Sequence, residues 1–133
     1  MNRARIGLFC IVMVLATFSL SFAGNTPIKQ HRAIRAIIGE AANQGYQGML
    51  AIACGIRNRG TLEGVYGVNA KHVDSQPDWV WQRAKKAWKE SKTNRIHQGT
   101  HWENIQAFGE PYWVSSMTKV YKHKDHIFYK ENK

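Results

Sequence analysis

The stretch AIRAIIGEAANQGYQGMLAIACGIRNRG, residues 33–60, decides how this chain folds. Ile34, Ile37, Ile38 and Ala41 recur at the spacing of one buried helical stripe, and Pro27 suits the first turn of that helix. Asn43, Gly45 and Gly48 mark a break. Met49 to Ile56 is then apolar nearly all round, as expected of a central helix enclosed by protein, and Gly60 after Asn58-Arg59 suits a left-handed helix cap. Two successive helices, the second at the centre, are the expected frame of the domain.

Within that frame, residues 36–56 carry one charged side chain, Glu40. At 3.6 residues per turn Glu40 falls on the flank of the first stripe, in line with Ala33 and Ala36, whose small side chains leave a groove. A carboxylate held against apolar neighbours is costly to ionise, which suits a group that must give and take protons near neutrality. The plain alternative is a helix-border glutamate whose head reaches water.

Outward toward the N-terminus, Arg3 and Arg5 precede the apolar run Gly7–Leu20, and Ser21-Phe22-Ala23 puts small residues where a signal peptidase cuts. Residues 1–23 therefore read as an export leader; the apolar core is shorter than a spanning helix, which makes a permanent anchor the weaker reading and leaves a slowly released anchor as the alternative. Its contact with the membrane is expected to be transient, and the mature chain to be periplasmic or extracellular. About 110 of the 133 residues remain, one domain spanning 24–133. Cys54 is then the single cysteine, a small buried hydrophobe without a disulfide partner. With 17 basic against 9 acidic side chains the mature chain is formally +8, a charge that favours anionic envelope polymers or nucleic acid without choosing between them.

Toward the C-terminus, residues 61–76 have no steady period and read as a long connection, a candidate wall for a site. Pro77 opens a third helix with Val80, Trp81, Ala84, Ala87 and Trp88 inward and Arg83, Lys86, Lys89 and Lys92 outward. The β-formers of Thr118–Lys122 and His126–Lys130, separated by His123-Lys124-Asp125, read as a hairpin, with Thr100–Ile105 as a third strand. The fold class expected is a small α+β domain, a helical core with a short antiparallel sheet near the C-terminus.

Four histidines, His97, His101, His123 and His126, offer a rival chemistry, because imidazoles beside Glu103 and Asp125 are the residue types of a zinc-dependent wall peptidase. Residues 97–104 look extended, however, and an i,i+4 histidine pair does not chelate from a strand as it does from a helix. Trp102, Tyr112, Trp113, Tyr121, Phe128 and Tyr129 concentrate rings in the β-rich part, mostly as core and in part as candidate sugar-binding surfaces. The same rings beside lysines also suit single-stranded nucleic acid, although no nucleic-acid motif accompanies them.

The segment 33–60 resembles the opening motif of the cell wall hydrolases typified by the spore cortex-lytic enzyme SleB. The matching features are Glu40-Ala41, Gly45 with Gly48, and Asn58-Arg59. GTHWEN and HKDHIFYK resemble that family's terminal strands, while Ala42-Asn43 stands where an Arg-Gly pair is usual. The resemblance implies a lysozyme-like α+β domain and cleavage of the MurNAc-GlcNAc bond of peptidoglycan glycan strands, with Glu40 as catalyst. Ordinary glycosidases use two carboxyl groups. A lytic transglycosylase needs one, because the muramic acid C6 hydroxyl is itself the nucleophile and a single glutamate serves as acid and then as base.

On this reading His101, Asn104 and Tyr129 orient substrate, while Asn58 and His126 brace the site through hydrogen bonds. Glu63, Glu103 and Glu110 are the candidate second carboxylates that would convert the reaction to hydrolysis. No metal, cofactor or specific nucleic acid is expected to take part, and the enzyme is expected to act as a monomer. The alternatives are the zinc peptidase and a non-catalytic basic protein that binds envelope polymers or nucleic acid.

Overall fold

Helix α2 (Gly45–Arg59) runs through the centre of the domain, and every residue from Gly48 to Ile56 is buried. A computed structural model describes residues 26–133, and the expected leader lies outside these described residues. Helix α1 (Gln30–Ala41) lays Ile34, Ile37, Ile38 and Ala41 into the core, the stripe read from their spacing. Each isoleucine buried in this way contributes about 1.5–3 kcal/mol. Pro27 lies three residues before the helix instead of in its first turn, because the chain is still extended at Lys29, the residue that caps it.

The break between α1 and α2 is shorter than expected. Gly48 sits inside α2, where a Cβ would meet the Gln44 side chain at 2.4 Å and the His123 ring at 3.2 Å. This glycine serves close packing and not a turn. Gly60 ends α2 in the left-handed conformation at φ 73, its N–H returning to the Ile56 carbonyl at 3.0 Å.

Helix α3 (Asp78–Glu90) packs Val80, Ala84, Ala87 and Trp88 inward. Pro77 stands just before it, its carbonyl accepting from Val80 N–H at 2.9 Å. Arg57 of α2 ties the two helices together. Its guanidinium lies 3.6 Å from the Trp88 ring centroid and donates to Ser91 Oγ and to the Trp88 carbonyl, both at 2.7 Å. Cys54 is a free, buried thiol facing the Asn94 carbonyl at 3.4 Å, and burial raises its pKa.

The last third forms an antiparallel sheet of β1 (His101–Asn104), β2 (Met117–His123) and β3 (His126–Glu131), in the order β1-β3-β2. His123 pairs with His126, so the β2–β3 turn is Lys124-Asp125, with Lys124 at φ 48. Between β1 and β2 come a single helical turn α4 (Ile105–Phe108) and a 3-10 turn at Tyr112–Ser116. Residues directly opposite in an antiparallel pair share a face. Trp102 and Phe128 are one such pair, and their face looks toward the helices, where Phe128 is fully buried and Trp102 lies against Gly55 of α2. The architecture is α+β, three helices on one side and the three-stranded sheet near the C-terminus on the other. Among the described residues no helix is long and apolar enough to cross a membrane.

Candidate active site

The connection from residue 61 to 76 does not stand away from α1. Its 3-10 turn Tyr66–Asn69 lies directly on the helix, so close that a Cβ on Gly39 would come 1.9 Å from the Gly67 carbonyl oxygen. A Cβ on Gly67 would in turn meet the Glu40 side chain at 2.8 Å and the Ala36 carbonyl at 2.9 Å. The groove expected beside Ala33 and Ala36 is therefore filled by this turn. Arg35 holds the turn down by donating to the Val68 carbonyl at 3.2 Å and pairing with Asp74.

Two glycines facing each other across helix and loop have a direct chemical result. The Gly67 N–H reaches Glu40 Oε1 at 2.9 Å. On the opposite side the absence of a side chain at Gly55 lets the Trp102 ring lie on α2, where an added Cβ would be 2.7 Å from the ring, and the indole N–H points to Glu40 Oε2 at 3.3 Å. One donor on each oxygen fixes the plane of the carboxyl. Each oxygen keeps a lone pair free for a proton.

Glu40 opens into a cleft of about 680 Å³ between α1 with its covering loop on one side and β1, α4 and the β2–β3 turn on the other. His101 and Asn104 line it, as does His126, which faces the cleft instead of bracing it from behind. Burial, and the Arg59 charge beside it, push the His101 pKa down. Burial also lowers that of His126. Both imidazoles are thus neutral near pH 7, able to donate and accept hydrogen bonds without carrying charge. Thr100 Oγ1 lies 2.9 Å from His101 Nδ1 and orients that ring.

Asn58 does not line the cleft. Its Nδ2 donates to the His97 and Gly99 carbonyls at 3.0 and 2.9 Å, holding the segment that leads into β1, and its Oδ1 accepts from Arg95 at 2.7 Å. Tyr129 does not line it either, contrary to its expected contact with substrate. It pairs with His101 across β1 and β3, and Trp113 covers it edge-on at 5.5 Å between centroids. Asn104 has its Oδ1 engaged in capping α4, accepting from Ala107 N–H at 2.9 Å, so its amide N–H groups are what it offers the cleft.

The histidines do not assemble into a metal site. His97 is buried and its two ring nitrogens are occupied, Nε2 donating to the Ala51 carbonyl at 2.7 Å and Nδ1 accepting from Gly99 N–H at 2.9 Å. His123 faces the Gln44 carbonyl at 3.1 Å. Among the described residues no three His, Cys, Asp or Glu side chains come close enough together to hold a metal ion.

Further side chains complete the cleft. Glu103 and Asp125 bring two further carboxylates to the cleft, whereas Glu63 and Glu110 do not line it. Arg59 lies within reach of the Glu40 charge and has its guanidinium 5.6 Å from the Trp102 ring centroid. Gln44 is buried against the cleft with no hydrogen-bond partner for Oε1 among the described residues. Gly67 and Trp102 contact Glu40 from distant parts of the chain, and only Trp102 stood in a segment, GTHWEN, that drew notice on other grounds. No family model, curated protein or solved structure matches this chain.

Proposed function

We propose that this protein cleaves the MurNAc-GlcNAc bond of peptidoglycan glycan strands by lytic transglycosylation, with Glu40 as acid and base. The observation that carries the reading is a carboxyl group held by the Gly67 N–H and the Trp102 indole N–H inside a cleft of about 680 Å³. The motif resemblance of residues 33–60 and of GTHWEN with HKDHIFYK supports it as well; no matched family does. An export leader would carry the domain to the wall that is its substrate.

In this mechanism the protonated Glu40 carboxyl gives its proton to the glycosidic oxygen while the bond from that oxygen to the muramic acid C1 breaks. The GlcNAc residue leaves with a hydroxyl. The carboxylate then accepts the proton of the C6 hydroxyl as its oxygen bonds to C1, closing a 1,6-anhydro ring and restoring the acid. Holding that hydroxyl against C1 makes the second step intramolecular and gives it an advantage over attack by free water. His101, His126 and the Asn104 amide supply neutral hydrogen-bonding groups for hydroxyl and acetamido substituents.

A second reading draws on one observation. Glu103 and Asp125 share the cleft with Glu40, so a carboxylate is at hand to activate water and turn the reaction into hydrolysis. Digesting purified peptidoglycan with the mature protein and weighing the products separates the two. Products ending in 1,6-anhydromuramic acid support transglycosylation, reducing ends support hydrolysis, and intact glycan strands remove both.

A further inference from the structure

A domain of this size needs most of its aromatic rings in the core. Two of its most exposed ones instead stand on the cleft that holds Glu40. Tyr66 is 85% exposed and Phe108 79% exposed, and both line that cleft. Tyr66 belongs to the helical wall, opening the 3-10 turn whose next residue, Gly67, bonds Glu40. Phe108 belongs to the sheet wall, at the end of α4.

Neither ring is carried on a loose loop. The turn that bears Tyr66 is pinned to α1 by the Gly39–Gly67 approach and by Arg35. The turn that bears Phe108 is capped by Asn104 and closed by the Gly109 N–H, which donates to the Ile105 carbonyl at 2.8 Å. Exposing a large apolar ring forgoes its burial, and rings exposed on a cleft mark a surface that something else covers.

Charge narrows the choice of occupant. The chain as a whole is strongly basic, yet its cleft carries Glu40, Glu103 and Asp125 against Arg59 alone among lysines and arginines. A phosphodiester backbone is repelled there, whatever the basic surface elsewhere attracts. Neutral His101 and His126 fit an uncharged polar ligand. A β-1,4-linked sugar chain has that chemistry: its hydroxyl and acetamido groups lie at the ring edges, and its axial C–H bonds leave flat apolar faces that meet the negative face of an aromatic ring.

We infer that Tyr66 and Phe108 are stacking platforms for two sugar rings of one glycan strand, one platform on each wall of the cleft. The inference rests on the glycan reading of Glu40 and names how the strand is gripped. It predicts that the rings contribute to holding substrate, so that their loss is felt in KM and Kd before kcat.

The test uses Glu40→Gln protein to prevent turnover and the hexamer of β-1,4-linked N-acetylglucosamine as probe, with affinity read by calorimetry. Tyr66→Ala and Phe108→Ala should each raise Kd roughly tenfold, equivalent to about 1.4 kcal/mol, while Tyr66→Trp and Phe108→Trp keep the affinity. Tyr112→Ala is the control: Tyr112 is 93% exposed but does not line the cleft, and its removal should leave Kd where it was. An oligothymidylate of equal length should show no dependence on either ring.

Failure of the inference is distinguishable from failure of the enzyme reading. If wild-type protein cleaves peptidoglycan but the alanine variants bind the hexamer as before, or the hexamer is not bound at all, the platforms are overturned and Glu40 chemistry stands. If both rings matter for hexamer binding while wild-type protein cleaves nothing, the platforms stand without the enzyme. Oligothymidylate binding that is lost with either ring overturns the choice of occupant.

Discussion

The indole N–H of Trp102 donates to Glu40 Oε2 at 3.3 Å, joining a β-strand to a helix across 62 positions of chain. Together with the Gly67 N–H on Oε1 it gives the carboxyl one orientation in the cleft. Most of what is distinctive in this domain follows from making room for those two bonds.

Replacing Trp102 with Phe keeps a ring against Gly55 and Phe128 but deletes the donor. Loss of a single hydrogen bond costs about 0.5–1.5 kcal/mol, and a misplacement of about 1 Å at a reacting group can cost a hundredfold in rate. The expected outcome is kcat on peptidoglycan reduced roughly tenfold to a hundredfold, with a folded protein by circular dichroism. A variant as fast as wild type would show that the indole does not orient Glu40.

Gly39→Ala and Gly55→Ala should fail differently. At Gly39 the new methyl meets backbone, the Gly67 carbonyl at 1.9 Å, so the covering turn must lift and take its N–H off Glu40. Stability should fall by about 1–3 kcal/mol along with activity. At Gly55 the methyl meets the Trp102 ring at 2.7 Å, a side chain that can slide. There activity should fall more than stability, as read from urea unfolding and turnover of the same preparations.

Those contrasts also mark what the sequence made legible. The apolar run of α2, the isoleucine stripe of α1 and the β-formers of the hairpin each follow a local period, so helices, strands and the Gly60 cap were readable within the chain. Glu40 stood out because residues 36–56 hold no other charge. Its partners had no such mark: Gly67 and Trp102 meet it only through packing between distant segments, and nothing in Gly67's own neighbourhood separates it from a turn glycine. Tyr129 packs under Trp113 beside His101 without lining the cleft, a placement set by contacts between separate segments that the run of β-formers in β3 does not show. His97 read as a possible ligand and is instead a buried brace between α2 and the strand lead-in.

Acid should destabilise the domain earlier than its carboxylates would. Burial lowers the pKa of His97 and of His126 below the ordinary 6.5, so the unfolded chain takes up protons at these positions before the folded one does. Their contribution is complete above 6.5 and is lost as pH falls through 6.5 toward the folded-state values. Asp74 and Glu90, lowered by their bonds to Arg35 and Tyr46, act at lower pH and are exposed, where such pairs contribute little. Urea midpoints measured from about pH 8 to about pH 5 should decline steadily below 6.5. A flat profile would contradict the buried, neutral state of both imidazoles.

Arg57 separates stability from chemistry. It joins α2 to α3 by two hydrogen bonds and by its stack on Trp88, and it does not line the cleft. Arg57→Ala should cost about 2–4 kcal/mol of folding stability, while kcat measured well below the lowered melting temperature stays near wild type. Arg57→Lys, which loses the planar fork, should fall between the two. Melting curves that superimpose would show that the guanidinium does not tie the helices.

In the proposed mechanism Glu40 carries the proton. Gln at this position keeps the shape and can still accept the Gly67 N–H, but it cannot act as an acid and then as a base. The most direct measurement is the initial rate of soluble muropeptide release from purified peptidoglycan by wild-type protein and by Glu40→Gln with an unchanged melting curve. A loss of roughly a hundredfold to ten-thousandfold is expected; release at the wild-type rate would contradict proton transfer by Glu40.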